Sequence, residues 1–204
     1  MSFLTQRLLL SQLLCLFLLS CSSQTALPRL TSEAVILAFG DSLTYGSGAR
    51  AEEAYPAVLE RLTGHRVVNA GVPGEVTEDG VKRLPDILDE LQPELLILCH
   101  GGNDLIRKRG EEQAAANLRS MILEARQRGI AVLLIAVPKP GILLSSPDFY
   151  ASIAEQMHVP IEAEVLAEVL SSRSLKSDTI HPNSGGYRQL AEAVFRLMQE
   201  SGAL

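Results

Sequence analysis

The sequence predicts an α/β domain, a parallel sheet sandwiched between helices, and three observations carry that reading. Short apolar runs alternate along the chain with longer amphipathic ones. The apolar runs are nearly continuous rather than alternating with polar residues, as in strands buried on both faces. Glycine-rich polar motifs follow the apolar runs, at the sheet edge where open α/β folds gather ligands.

The first strand is read over Ala34 to Phe39 and leads into Gly40. Tyr55 to Leu62 is an amphipathic helix, and Arg66 to Val68 a short second strand. The next helix, Glu78 to Leu91, contains Pro85, which has no N–H to donate and so kinks the helix or marks its true start. Leu95 to Cys99 is an unbroken apolar run that reads as a buried strand, which makes Cys99 a packing residue rather than a nucleophile. Ala131 to Val137 is the fourth strand, between helices over Glu111 to Arg128 and Phe149 to Met157. A fifth strand is placed near Val159 to Ile161, and a last helix spans Ser184 to Glu200. No internal repeat or second domain boundary interrupts this alternation.

Residues 1–20 have the form of an export signal: Arg7 precedes a dense apolar run that ends at Leu19 and Ser20. That run is shorter than the roughly 20 residues a membrane-spanning helix needs. Leu18, Leu19, Ser20 and Cys21 resemble a bacterial lipobox, which implies cleavage before Cys21 and lipidation of its thiol. Residues 21–32 are then a lipidated N-terminus and tether, and 33–204 one ordinary folded domain. Buried acyl methylenes contribute about 0.8 kcal/mol each, so several chains hold a protein stably on a membrane. The expected location is the bacterial cell envelope. Ser22 rather than aspartate after Cys21 points to the outer membrane in a cell with two membranes.

Loss of Arg7 with the signal takes the formal charge from −6 to −7. No Lys or Arg block is long enough to track phosphates, so nucleic acid is not an expected partner. Gly40 to Gly48 lacks the lysine of a phosphate-binding loop, and Asp41, Asp104, Asp178 and His181 have no recognisable metal-ligand spacing. No cofactor or metal is expected.

Four separated segments instead supply the parts of an acyl-transfer site. Gly40, Asp41, Ser42 and Leu43 leave the first strand and present a hydroxyl. Asp178 stands three residues before His181 in a turn closed by Pro182 and Asn183. At that spacing the carboxylate can hold one ring nitrogen while the other takes the serine proton. Gly71 and Ser42 offer backbone N–H groups, and Asn103 a side-chain amide, to the oxyanion that forms during attack. Gly74, Gly80, Gly101 and Gly102 read as turn glycines at positive φ. Of the other histidines, His100 reads as structural, and His65 and His158 as surface or loop residues.

With these segments in view, the chain resembles the SGNH, or GDSL, hydrolases. Ser42, Gly71, Asn103 and His181 match the four residues that name the family, and the likeness runs from about Ala34 to the C-terminus. Spacing and the Arg83, Leu84, Pro85 segment most resemble the bacterial branch of arylesterases, lysophospholipases and acyl-CoA thioesterases. The resemblance implies a flavodoxin-like three-layer αβα sandwich of about five strands, a Ser42, Asp178, His181 triad, an oxyanion hole from Ser42, Gly71 and Asn103, and no cofactor. Thr44 departs from the Gly, Xaa, Ser, Xaa, Gly elbow of the α/β-hydrolases.

Ile142, Leu143 and Leu144 form an apolar stretch after the fourth strand and are expected to line an acyl pocket. The expected substrates are small acyl esters, thioesters or lipid-like esters. Two rival readings stand beside this one: an O-acetylesterase of envelope carbohydrate, and a non-catalytic lipoprotein that binds glycan or lipid on the same scaffold.

Overall fold

A computed structural model describes residues 25–141 and 144–204. The signal segment and Cys21 lie outside the described residues, as do Ile142 and Leu143.

Five parallel strands form one sheet in the order β2-β1-β3-β4-β5. They are β1 (Val35–Gly40), β2 (Arg66–Gly71), β3 (Leu95–Cys99), β4 (Ala131–Ile135) and β5 (Ile161–Glu162). The central strands carry the core: every residue of β3 is buried, as is all of β1 after Val35. Edge strand β2 fully buries only Val67 and runs three residues past the predicted Val68. It extends because pairing with β1 continues to Gly40 opposite Gly71, carrying Asn69 into a strand against its low propensity. β4 stops two residues short of the expected end, and β5 is a two-residue edge shifted toward Glu162.

The helices are α1 (Ser42–Tyr45), α2 (Tyr55–Thr63), α3 (Thr77–Leu91), α4 (Gly102–Ile106), α5 (Glu111–Gln127), α6 (Asp148–Met157), α7 (Val165–Ser171) and α8 (Ser184–Glu200). α8 packs with α2 and α7, whereas α5 packs with α3 and α6, which gives a helical layer on each face of the sheet. Helix α7, absent from the sequence reading, buries Val165, Leu166, Val169 and Leu170, a spacing that puts one stripe on the core. Pro85 lies within α3 without ending it, and Leu84 and Leu88 stay buried on either side. The tether is shorter than expected. Leu27 and Leu30 are buried and donate backbone hydrogen bonds to Ser201 and Ala203, so the folded body begins before residue 33.

Strand order 2-1-3-4-5 reverses direction between β1 and β3. Loops leaving those neighbours at their carboxyl ends diverge to opposite faces and open a crevice. Ser42 follows β1 and Asn103 follows β3, so the topology itself brings these two side chains to one place.

Candidate active site

The turn after β1 explains its own sequence. A side chain on Gly40 would collide with the carbonyl oxygen of Cys99 on β3, so only glycine lets the two strands end this close. Asp41 then caps α1: its Oδ1 accepts from the Leu43 N–H at 3.0 Å. The capping carboxyl is 1% exposed, and burial raises its pKa against the opposing pull of His100, the Leu43 N–H and His181. Ser42 opens the helix, half-buried, and among the described residues its N–H has no hydrogen-bond partner.

His181 arrives from the other end of the chain. Its Nε2 lies 3.0 Å from Ser42 Oγ and its Nδ1 2.8 Å from Asp178 Oδ2. The second carboxylate oxygen of Asp178 accepts from the Ile180 and His181 N–H groups at 2.8 and 2.9 Å. Partial burial favours the neutral acid at Asp178, but the His181 bond and these backbone donors outweigh it and hold the carboxyl below its ordinary range. The turn is anchored on both sides: the His181 carbonyl accepts from the Ser177 N–H at 2.9 Å, and Asn183 caps α8 through Gly185 and Gly186. Ser42, His181 and Asp178 thus form one hydrogen-bonded chain, the arrangement that lets an imidazole take a hydroxyl proton.

Gly71 is not brought to this site. Its N–H donates to Asn69 Oδ1 at 2.9 Å, and it lines a separate cleft with Tyr45, Gly46, Ala49, Ala51 and Asn69. A side chain there would strike the Tyr45 backbone, so glycine serves the close approach of β2 to α1. Among the described residues the Gly74 N–H has no hydrogen-bond partner; Gly74 stands at φ +80° in the turn closed by the Glu75 N–H bond to Val72. The Pro73, Gly74 pair at the centre of that turn is the signal that could have separated the two glycines. Asn103 does reach the site. Its Nδ2 donates to the Glu75 carbonyl at 3.0 Å and to Asp41 Oδ2 at 3.3 Å, so the longer bond is the one an incoming oxygen would displace. Gly101 and Gly74 have positive φ as expected, but Gly80 and Gly102 do not. Those two are helical positions where a Cβ would press on His100 Nε2 at 2.7 Å and on Val137 at 3.0 Å.

A solvent-open cleft of about 450 Å³ lies over the serine, lined by Ser42, Asn103 and His181 and by apolar groups from Ile106, Val137, Pro140, Leu144, Leu170 and Ile180. Leu144 therefore lines the cleft as the sequence suggested, and Leu170 of α7 is a wall residue the sequence reading missed. His100 is completely buried, with Nε2 3.1 Å from Glu75 Oε2 and Nδ1 accepting from the Gly101 N–H at 3.0 Å. Both ring nitrogens are used in structure, which removes it as a base. Cys99 is buried too, and burial pushes its thiol pKa well up.

A family model described as GDSL-like Lipase/Acylhydrolase matches residues 38–189. Among curated proteins, the chain is 28% identical to esterase TesA of Pseudomonas aeruginosa over 88% of this chain and 95% of that one. It is 27% identical to thioesterase 1/protease 1/lysophospholipase L1 of Escherichia coli K12 over 84% and 86%. Among solved structures, a crystal structure of TesA superposes with a TM-score of 0.75 at 28% identity, covering 82% of this chain and 99% of the other.

Proposed function

The chain belongs to the GDSL-like lipase/acylhydrolase family and is an ester hydrolase, and from that premise we propose that it acts through an acyl-enzyme on Ser42, with apolar acyl groups as its preferred substrates. The observation that carries this reading is the chain of bonds from Ser42 Oγ through His181 to Asp178, at 3.0 and 2.8 Å, set in a mostly apolar cleft. Ser42 Oγ attacks the carbonyl carbon while His181 Nε2 takes its proton. The carbonyl π pair moves onto oxygen, where the Ser42 and Gly74 N–H groups and the Asn103 amide donate to it. The tetrahedral species collapses, and the leaving alcohol or thiol takes the proton from His181. Water then attacks the acyl-enzyme by the same relay and releases the carboxylic acid. Asp178 holds the ring with its proton on Nδ1 throughout.

Apolar lining favours an acyl chain over an acetyl group, because each buried methylene adds about 0.8 kcal/mol. Carboxylic esters and thioesters both fit this relay. The N-terminal Leu18 to Cys21 segment supports lipid anchoring at the cell envelope, which would put the cleft close to lipid-like esters. The test is hydrolysis of para-nitrophenyl esters across chain lengths by the wild type and Ser42→Ala, followed by acyl-CoA, lysophospholipid and acetylated sugar. Medium-chain preference with total loss in Ser42→Ala is expected. Turnover of acetylated sugar alone would replace this reading with carbohydrate deacetylation.

A further inference from the structure

We infer that the cluster of Glu75, Arg83 and His100 beneath the catalytic crevice is a positioning device that aims the oxyanion donors, an inference that rests on the hydrolase reading above. Glu75 occupies the loop after β2, directly following Gly74. Its backbone carbonyl accepts from Asn103 Nδ2 at 3.0 Å. Its carboxylate is gripped by the Arg83 fork, Nε to Oε1 at 2.8 Å and Nη2 to Oε2 at 2.7 Å, and meets His100 Nε2 at 3.1 Å. His100 in turn accepts from the N–H of Gly101, the residue that opens α4 and so carries Asn103. One carboxylate therefore fastens two loops from non-adjacent strands, one bearing Gly74 and the other Asn103.

The remaining contacts fix the cluster itself. Arg83 reaches from α3, donates a further bond to the Ala70 carbonyl at 3.1 Å, and lies over the Phe39 ring at 4.1 Å from its centroid. Arg107 donates to the Gly74 carbonyl at 2.8 Å, which pins the loop from the α4 side. The side chains of Glu75, Arg83 and His100 are 6%, 26% and 0% exposed. Burying such charges costs solvation that their attraction only partly returns, and apolar replacements of buried pairs are often as stable. The return on this burial is geometry, since the two parallel bonds of the Arg83 fork fix both the position and the orientation of the carboxylate. Oxyanion donors are effective only when aimed in advance, and a displacement of about 1 Å can cost roughly a hundredfold in rate.

A mutant cycle tests the inference with para-nitrophenyl butyrate as substrate. Arg83→Met and Glu75→Gln are each expected to lower kcat about ten- to a hundredfold while KM moves less than about threefold. In an Asn103→Ala background the same changes are expected to cost about two- to fivefold less, because one of the two donors they aim has gone. Losses of equal size in both backgrounds, or losses that appear in KM, would overturn the inference. Should Arg83→Met not fold, the near-isosteric Glu75→Gln carries the cycle. Failure of both to fold would make the cluster a scaffold requirement and end the positioning claim. Undiminished turnover in Asn103→Ala would instead remove the oxyanion assignment under "Proposed function", an outcome distinct from an additive cycle.

Discussion

Replacing Asp178 by asparagine separates orientation of His181 from the integrity of its turn. The carboxylate has two tasks: Oδ1 accepts two backbone N–H bonds at 2.8 and 2.9 Å, and Oδ2 receives the His181 ring at 2.8 Å. An amide can place its single oxygen on one side only. Facing the oxygen toward the two backbone donors preserves two bonds and points an NH2 group at Nδ1, whereas the reverse preserves one and opposes two donors. The first orientation is preferred on that count, and it forces the ring proton onto Nε2, the atom 3.0 Å from Ser42 Oγ. A protonated Nε2 cannot take the serine proton. The expected loss in kcat is about 10⁴-fold, or about 5.4 kcal/mol of transition-state stabilisation, with KM changed only a few-fold. Because the Asp178 side chain is 54% exposed and its backbone bonds survive, the thermal midpoint should shift by no more than a few degrees. Steady-state kinetics on a para-nitrophenyl ester, with a melting curve on the same sample, provide both readouts. A loss smaller than about tenfold would refute the reasoning, because His181 would then keep its tautomer without Asp178.

Ser42→Ala removes the nucleophile from a half-buried position, so hydrolysis and labelling by an alkyl phosphonate should both vanish while the melting midpoint stays close to the wild type's. Truncation of the cleft wall by Leu144→Ala should lower kcat/KM for octanoyl esters about three- to tenfold and leave acetyl esters unchanged, read from a chain-length series. An unchanged series would show that Leu144 makes no acyl contact. Burial alone would raise the Glu75 pKa, but its bonds from His100 and Arg83 win and lower it from 4.5 to about 2. Because the folded value is the lower one, the associated stability is fully present above pH about 4.5 and disappears as pH falls toward about 2. Urea titrations should find Glu75→Gln less stable than wild type at pH 7, with the gap closing through that window. A constant gap would show that the charge at Glu75 is not what stabilises. Mass spectrometry of membrane-extracted protein should find an acylated N-terminal Cys21, and an unmodified cysteine there would remove the anchor.

Most of the strands and long helices were legible because burial on both faces leaves unbroken apolar runs such as Leu95–Cys99, and one-sided burial leaves a stripe such as that of α8. What escaped were elements whose signal is not their own. Helix α1 is four residues long and is held by the Asp41 cap, β2 runs on through Asn69 because β1 lies alongside, and Leu27 and Leu30 join the body through carbonyls near the far end of the chain. In the site, Ser42, Asp178 and His181 were readable from residue type and local spacing. Gly71 was placed wrongly because two glycines stand three positions apart and the Asn69 side chain consumes the N–H of the first.

Amino-acid order alone determined the reactive groups, namely a hydroxyl after a strand-ending glycine, an imidazole three residues beyond a carboxylate, and an amide in a glycine-rich turn, because chemical identity is a property of single residues and short turns. Tertiary structure decided what those groups can do together. The reversal of strand order between β1 and β3 sets Ser42 beside Asn103, packing of α8 swings His181 across 139 positions of sequence to 3.0 Å from the serine, and α7 supplies Leu170 to the cleft wall. Catalytic distances, free donors and pocket walls are relations between segments far apart in the chain, and only the buried core that joins those segments can set them.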